Sequence, residues 1–206
     1  MDKRCIIIAG APEFGFYEPR AGDFIIAADS GYEHALRAGI SPHLLMGDFD
    51  SFKGKAAPGL EVIEAPAVKD DTDTMLAVKE GLARGYENFL LLGALGGRLD
   101  HQTANLAACA YIAQEGGICE LRGDRDRLYA FKNRQMSLDR VEGAYVSVLA
   151  YSDRALGVSL KGFRYNLENA DLTNCFPLGV SNEFAADRAY VEVKEGILFV
   201  IVSPAV

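Results

Sequence analysis

Six short apolar runs, Cys5–Ala9, Phe24–Ala28, Leu44–Gly47, Val62–Ala65, Phe89–Leu92 and Ile118–Leu121, punctuate the first part of this chain, several flanked by Gly or Pro. Runs this short and this apolar are buried strands. Between them, apolar residues recur at helical spacing: Tyr32, Ala35, Leu36 and Gly39; Met75, Val78 and Leu82; Leu106, Cys109, Ala110 and Ala113. Strand alternating with helix implies a doubly wound α/β unit with a mostly parallel sheet.

After about Asp124 the helical periodicity stops, and β-like stretches separated by turn residues follow. Candidate strands are Leu128–Phe131, Gln135–Leu138, Tyr145–Ala150, Gly157–Leu160, Tyr190–Val193 and Leu198–Val202, with Lys132-Asn133-Arg134 and Glu195-Gly196 as hairpin turns. The expected organisation is an α/β domain over 1–124 and a smaller all-β sandwich over 125–206. A chain of 206 residues, 50% hydrophobic, has room for two modest cores.

Composition narrows the partners. The net charge of −8 and pI near 4.9 argue against a nucleic-acid surface, which needs clustered Lys and Arg. No apolar run reaches the roughly 18 residues of a membrane span, and MDKRCIIIAGAPEFG is too short in its apolar part for a secretory signal, so a soluble cytoplasmic protein is expected. Cys5, Cys109, Cys119 and Cys175 form no CxxC pair, which argues against a disulfide framework or zinc site.

In an open α/β sheet, ligands bind beyond the carboxyl ends of the strands. Acidic residues fall there repeatedly: Asp29 after FIIAA, Asp48 and Asp50 after LLMG, Asp70, Asp71 and Asp73 after VIEAP, and Asp100 after LLLGALGGRL. Each group also has a plainer reading, since Asp29-Ser30 and Asp70 to Asp73 could cap the helices that follow. Four such groups at one sheet edge would repel unless a cation sat among them. Magnesium fits, because it prefers hard oxygen ligands and completes its shell with water and substrate phosphates.

The segment GALGGRLDH combines glycines whose backbone could approach a phosphate with Arg98, which could clamp phosphate oxygens. Neither it nor Gly10-Ala11-Pro12-Glu13-Phe14-Gly15 continues into a Walker Gly-Lys-Ser/Thr. His101 could act as a base, bind phosphate, or simply hydrogen-bond at a helix start; the residues leave that open.

In this order, DSG, GDFDS, K-D-x-T-D and GG-R-x-D-H resemble the catalytic domain of thiamine pyrophosphokinases. Gly162, Phe163 and Tyr165, then Leu172, Gly179-Val180-Ser181-Asn182-Glu183 and a closing strand to Ser203 are similar to that family's thiamine-binding domain. The resemblance implies an enzyme moving the diphosphate of ATP onto thiamine with Mg2+. By it, Asp29, Lys69, Asp70, Thr72, Arg98 and His101 face ATP; Asp48, Asp50, Asp73 and Asp100 face the metal; Asp73, Asp100 and Arg98 take part in catalysis. Asp71 falls at the variable position. Ser181 and Asn182 match the thiamine motif, and a homodimer holding thiamine where the subunits meet is implied.

Some members place a tryptophan against the thiamine ring. This chain has none, and Phe184 is the nearest aromatic candidate by sequence. Thiamine's hydroxyl would attack the β-phosphorus of ATP, with Asp73 or Asp100 orienting or accepting its proton. Alternatives are a diphosphotransferase acting on another small alcohol such as a hydroxymethyl pterin, a haloacid-dehalogenase-type phosphatase built on Asp48-Phe49-Asp50, and a non-catalytic sensor of thiamine or nucleotide. Ser51 after the second Asp and two strands before the motif disfavour the phosphatase.

Overall fold

The protein is described by a computed structural model over residues 3–48, 57–65 and 70–205. In chain order its elements are β1 (Arg4–Ile8), β2 (Phe24–Ala28), α1 (Gly31–Arg37), β3 (Leu44–Gly47), β4 (Glu61–Glu64), α2 (Asp73–Ala83), β5 (Asn88–Leu92), α3 (Leu99–Gln114), β6 (Ile118–Arg122), β7 (Arg127–Lys132), β8 (Gln135–Asp139), β9 (Ala144–Ala150), β10 (Arg154–Lys161), β11 (Leu167–Thr173), β12 (Gly179–Glu183), β13 (Arg188–Glu192) and β14 (Ile197–Pro204).

Strands β6-β5-β1-β2-β3-β4 lie side by side and all pair parallel. The strand order reverses between β1 and β5, the switch point at which an open α/β sheet leaves a crevice. Alternation along β1 covers both faces. Cys5 and Ile7 join the core beneath α2 and α3, whereas Ile6 and Ile8 pack with Ala35 of α1 on the other side.

Beyond β6 the chain reverses. β7 pairs antiparallel with β6, and β14, β9 and β12 continue the same sheet, so ten strands form one surface across both halves of the chain. A second, four-stranded antiparallel sheet, β11-β10-β13-β8, packs over its far end. Along β14, Ile197 and Phe199 point toward the core shared with α3, and Leu198 and Val200 point into the sandwich with Val158, Leu160 and Val191. One strand thus closes two cores.

Two turns differ from expectation. Lys132-Asn133-Arg134 and Glu195-Gly196 are not hairpins, because β7 and β14 belong to the large sheet while β8 and β13 belong to the small one. They are corners where the chain changes sheets, and they hold each other: the Gly196 N–H donates to Asn133 Oδ1 at 2.8 Å, and the Asn133 N–H to Gly196 O at 3.3 Å. Leu36, placed on the apolar stripe of α1, is 55% exposed, while Tyr32 and Ala35 carry that helix's packing. Strands β11 and β12 were not evident from periodicity.

Candidate active site

A cleft of about 330 Å³ opens at the β1/β5 switch point, lined by Gly10 to Pro12 after β1, Asp29 and Ser30 after β2, Asp73 and Thr74 on α2, and Gly93, Gly96, Gly97, Arg98, His101 and Asn105 around the start of α3. Asp29, Asp73, Arg98 and His101, picked out in the sequence, are brought together here. Asp50 and Lys69 lie outside the described residues.

Asp29 sits at φ 46, a left-handed conformation uncommon for a non-glycine residue. It is pinned there because its N–H donates to Met46 O at 2.7 Å and its carbonyl accepts from Tyr32 N at 3.1 Å. Gly47, the last residue of β3, packs directly on it: a Cβ at Gly47 would lie 3.1 Å from the Asp29 Cα. Ser30 is the N-cap of α1 and makes no side-chain cap bond.

The KDDTD segment divides its labour. Thr72 is the N-cap of α2, its Oγ1 accepting from the Met75 N–H at 3.2 Å. Asp71 is tied to Lys79 Nζ at 2.7 Å, and Asp70 is exposed. Asp73, in the first turn of α2, lines the cleft.

The strand-to-helix loop after β5 runs through three left-handed glycines, Gly93 (φ 61), Gly96 (φ 78) and Gly97 (φ 72). At Gly93 no other residue fits, since a Cβ there would come within 2.2 Å of Ala9 O. Arg98 ends the loop as the N-cap residue of α3, and Asp100 lies in that helix's first turn. Their side chains pair in two hydrogen bonds, Nε to Oδ1 at 3.1 Å and Nη2 to Oδ2 at 2.6 Å. The pair raises the Arg98 pKa and, with the His101 N–H that Asp100 also accepts, holds the Asp100 carboxyl below its usual value.

Among the described residues no three of His, Cys, Asp and Glu form a ready-made metal cage. The donor set nonetheless suits a hard cation. Asp29 and Asp73 line the same cleft, Asp48 follows β3 directly, the strand next to β2, and magnesium needs only one or two carboxylates when phosphates and water supply the rest.

A second cavity, about 350 Å³, lies in the sandwich between Leu160, Tyr165, Leu167, Leu178, Gly179, Val180 and Asn182. Asn182 is 5% exposed and its amide is spent inside the protein. Its Oδ1 accepts from Tyr165 N and Glu183 N, each at 3.0 Å, and its Nδ2 donates to Tyr165 O at 2.6 Å. Ser181 is left-handed at φ 60, and its N–H donates to Ser147 Oγ at 3.1 Å. Phe184 packs against Phe163, with ring centroids 5.6 Å apart. Tyr165, by contrast, is 61% exposed, with the Arg164 guanidinium 5.5 Å from its ring centroid and that charge paired to Glu183 at 3.0 Å. Asn105 and Tyr165 were not assigned roles from sequence. Their signals were a polar residue one turn beyond His101 on the core helix, and an aromatic inside the Gly162-Phe163-Arg164-Tyr165 segment.

Two family models match the chain: thiamin pyrophosphokinase, catalytic domain, over residues 20–119, and thiamin pyrophosphokinase, vitamin B1 binding domain, over residues 133–198. The thiamine pyrophosphokinase of Bacillus subtilis (strain 168) is 31% identical over 184 residues, which is 85% of each chain. The crystal structure of thiamine pyrophosphokinase from Bacillus subtilis superimposes with a TM-score of 0.89 at 29% identity, covering 99% of this chain and 100% of that one. That from Geobacillus thermodenitrificans gives 0.85 at 27% identity and 98% of each chain.

Proposed function

The chain belongs to the thiamine pyrophosphokinase family, and we propose that it divides the family's reaction between two sites which different subunits bring together. The reaction moves the diphosphate of ATP onto the hydroxyl of thiamine and releases AMP. Residues 1–124 bind ATP in the switch-point cleft; residues 125–206 bind thiamine at the sandwich cavity. The observation that carries this reading is the cleft itself, where Asp29, Asp73, Arg98 and His101 converge on a glycine loop.

The thiamine hydroxyl oxygen bonds to the β-phosphorus as the bond from that phosphorus to the α-bridging oxygen breaks, and AMP leaves. Arg98 balances charge on the transferring group, and Asp29, Asp70, Thr72 and His101, with Lys69, orient the nucleotide. Asp73 lines the cleft, whereas Asp100 does not, so Asp73 accepts the hydroxyl proton. Asp48, Asp73 and Asp100, with Asp50, would hold Mg2+. When bound, the cation supplies positive charge that offsets the phosphates and the clustered carboxylates.

At the second site Tyr165 takes the place of the absent tryptophan, its ring face toward the thiazolium cation. Asn182 acts by fixing the Tyr165 backbone, and Ser181 lies beside it on β12. Reacting atoms must come to about 3–3.5 Å of each other. Yet β12 and β5 are five strand spacings apart in one sheet, roughly 24 Å at about 4.8 Å each. That separation supports a homodimer in which one subunit's cavity faces the other's cleft. Phe176, Leu178 and Val180, each at least half exposed beside the cavity, are the apolar surface for it.

No helix among the described residues is long and apolar enough to cross a membrane, and the reduced thiols Cys5, Cys109 and Cys119 suit a cytoplasmic setting. The test is to incubate the purified protein with ATP, thiamine and magnesium and to resolve the products by chromatography. AMP and thiamine diphosphate formed in equal amounts, and only with magnesium, are expected. ADP with thiamine monophosphate, or no thiamine ester, would overturn the reading.

A further inference from the structure

We infer that Asn105 is the positioning residue of the nucleotide cleft, acting through the backbone of Ala94. The inference rests on the cleft being the ATP site. Asparagine is a poor occupant of a helix interior, because its short amide competes with the backbone for hydrogen bonds. Here it lies mid-way along α3 among Ala108, Cys109 and Ile112, only 6% exposed. Its Nδ2 donates to Ala94 O at 2.8 Å, and Ala94 is itself fully buried.

That single bond closes a ring of chain running from Ala94 to Asn105. Within the ring lie Gly96, Gly97, Arg98, Asp100 and His101, all of them residues of the cleft or of its ion pair. The loop is tied by three successive carbonyls. Gly93 O accepts from the Ala11 N–H at 2.7 Å and Leu95 O from the Glu13 N–H at 3.1 Å, both belonging to the loop after β1. Ala94 O, between them, goes to Asn105. Removing the middle tie leaves a buried carbonyl without a donor and lets the glycines, which have no side chains to hold them, drift from the phosphate. One helical turn separates Asn105 from His101, so both sit on the face of α3 that lines the cleft.

Asn105 Oδ1 makes no hydrogen bond with the described residues. The amide is therefore oriented by its donor side alone, and replacing that donor is the decisive change.

The experiment is steady-state kinetics on the full-length enzyme, varying ATP at saturating thiamine and thiamine at saturating ATP. In Asn105→Leu the KM for ATP should rise by about tenfold or more while the KM for thiamine stays within about twofold. In Asn105→Asp the ionised carboxyl cannot donate to Ala94 O, but the protonated one can. The ATP penalty relative to wild type at the same pH should therefore shrink as the pH is lowered. The other charged groups around position 105, Asp29, Asp73, Arg98 and His101 of the cleft with Asp100 paired to Arg98, are the same in both proteins, so the ratio to wild type isolates the substitution.

An unchanged KM for ATP in Asn105→Leu, or equal losses for both substrates, would overturn the inference. Should Asn105→Leu fail to fold, the pH dependence in Asn105→Asp decides, and a ratio flat with pH refutes the bond's role. A wild-type enzyme without ATP turnover would instead defeat the functional reading, which keeps the two failures apart.

Discussion

Arg98 and Asp100 grip each other in a two-point ion pair at the mouth of the cleft, with 74% and 63% of their side chains open to solvent. In the proposed reaction a triphosphate would compete with Asp100 for the same guanidinium, so nucleotide binding would open or share this pair. A lysine cannot reproduce the fork. Arg98→Lys should lower kcat/KM for ATP by about 10–100-fold, nearly as much as Arg98→Ala, whereas a point charge sufficing for the role would leave Arg98→Lys close to wild type.

The same pair has a titration signature. Because the hydrogen bonds from Arg98 favour the charged carboxyl, Asp100 ionises below its ordinary value of 3.8 in the folded protein. NMR titration of the Asp100 side-chain carboxyl should show that midpoint moving upward in Arg98→Ala. No movement would mean the pair does not persist in solution.

In the proposed mechanism Asp73 accepts the hydroxyl proton, so Asp73→Asn should reduce kcat by about 100-fold or more. Asp153, on the β9–β10 turn far from the cleft, is the control. Comparable turnover in Asp73→Asn and Asp153→Asn would dismiss Asp73 from the chemistry.

If subunits share each site, two dead variants can rescue one another. Asp73→Asn spoils the cleft and Tyr165→Ala the cavity, so a mixed dimer keeps one intact composite site of two. Equal mixing with exchange yields half mixed dimers, so about a quarter of wild-type activity should return. A mixture as inactive as its components would place both halves of the site in one chain.

Asp23 tests stability rather than catalysis. It accepts from Arg4 Nε and Nη2 at 2.9 and 2.7 Å, from Tyr17 Oη at 2.8 Å and from the Arg20 N–H at 2.9 Å. Burial pushes its pKa up, but Arg4 and the other donors outweigh that and the net direction is down. A carboxyl lowered on folding stabilises above its unfolded pKa and loses that contribution as pH falls through the folded value. Asp23→Asn should cost about 2–4 kcal/mol near neutral pH by urea unfolding, and the gap to wild type should narrow toward about pH 3. A gap independent of pH would contradict the ionised role.

Strands β1, β2, β3 and β5 were legible because each is a dense apolar run buried on both faces, whereas β4 buries none of its residues and β6 only Cys119 and Leu121; the carboxyl ends of the strands pointed to Asp29 and Asp73. β11 and β12 were not. β11, LENADLT, buries only Leu172, bends at left-handed Asn169 and carries register shifts; β12, GVSNE, buries only Asn182. Both are edge strands, where pairing on one side and bulges replace hydrophobic alternation as the organising force. The corners at Asn133 and Gly196 read as hairpins because turn chemistry is local, whereas which sheet a strand joins is decided by burial far along the chain. Asn182 illustrates the same gap: its motif pointed toward ligand, but its amide faces Tyr165, a partner 17 residues earlier.

The unbroken run of strands from β5 to β12 also has a kinetic consequence. Hydrogen-bonded strands do not slide together, so the sheet behaves as a stiff ruler that keeps one chain's switch-point cleft and sandwich cavity apart whatever its side chains do. If the two sites meet across a dimer as proposed, catalysis is a property of an encounter between chains and specific activity is not a constant of the protein: on dilution below the concentration that holds the pair together, activity per molecule should fall, and either substrate that bridges the pair should slow that fall.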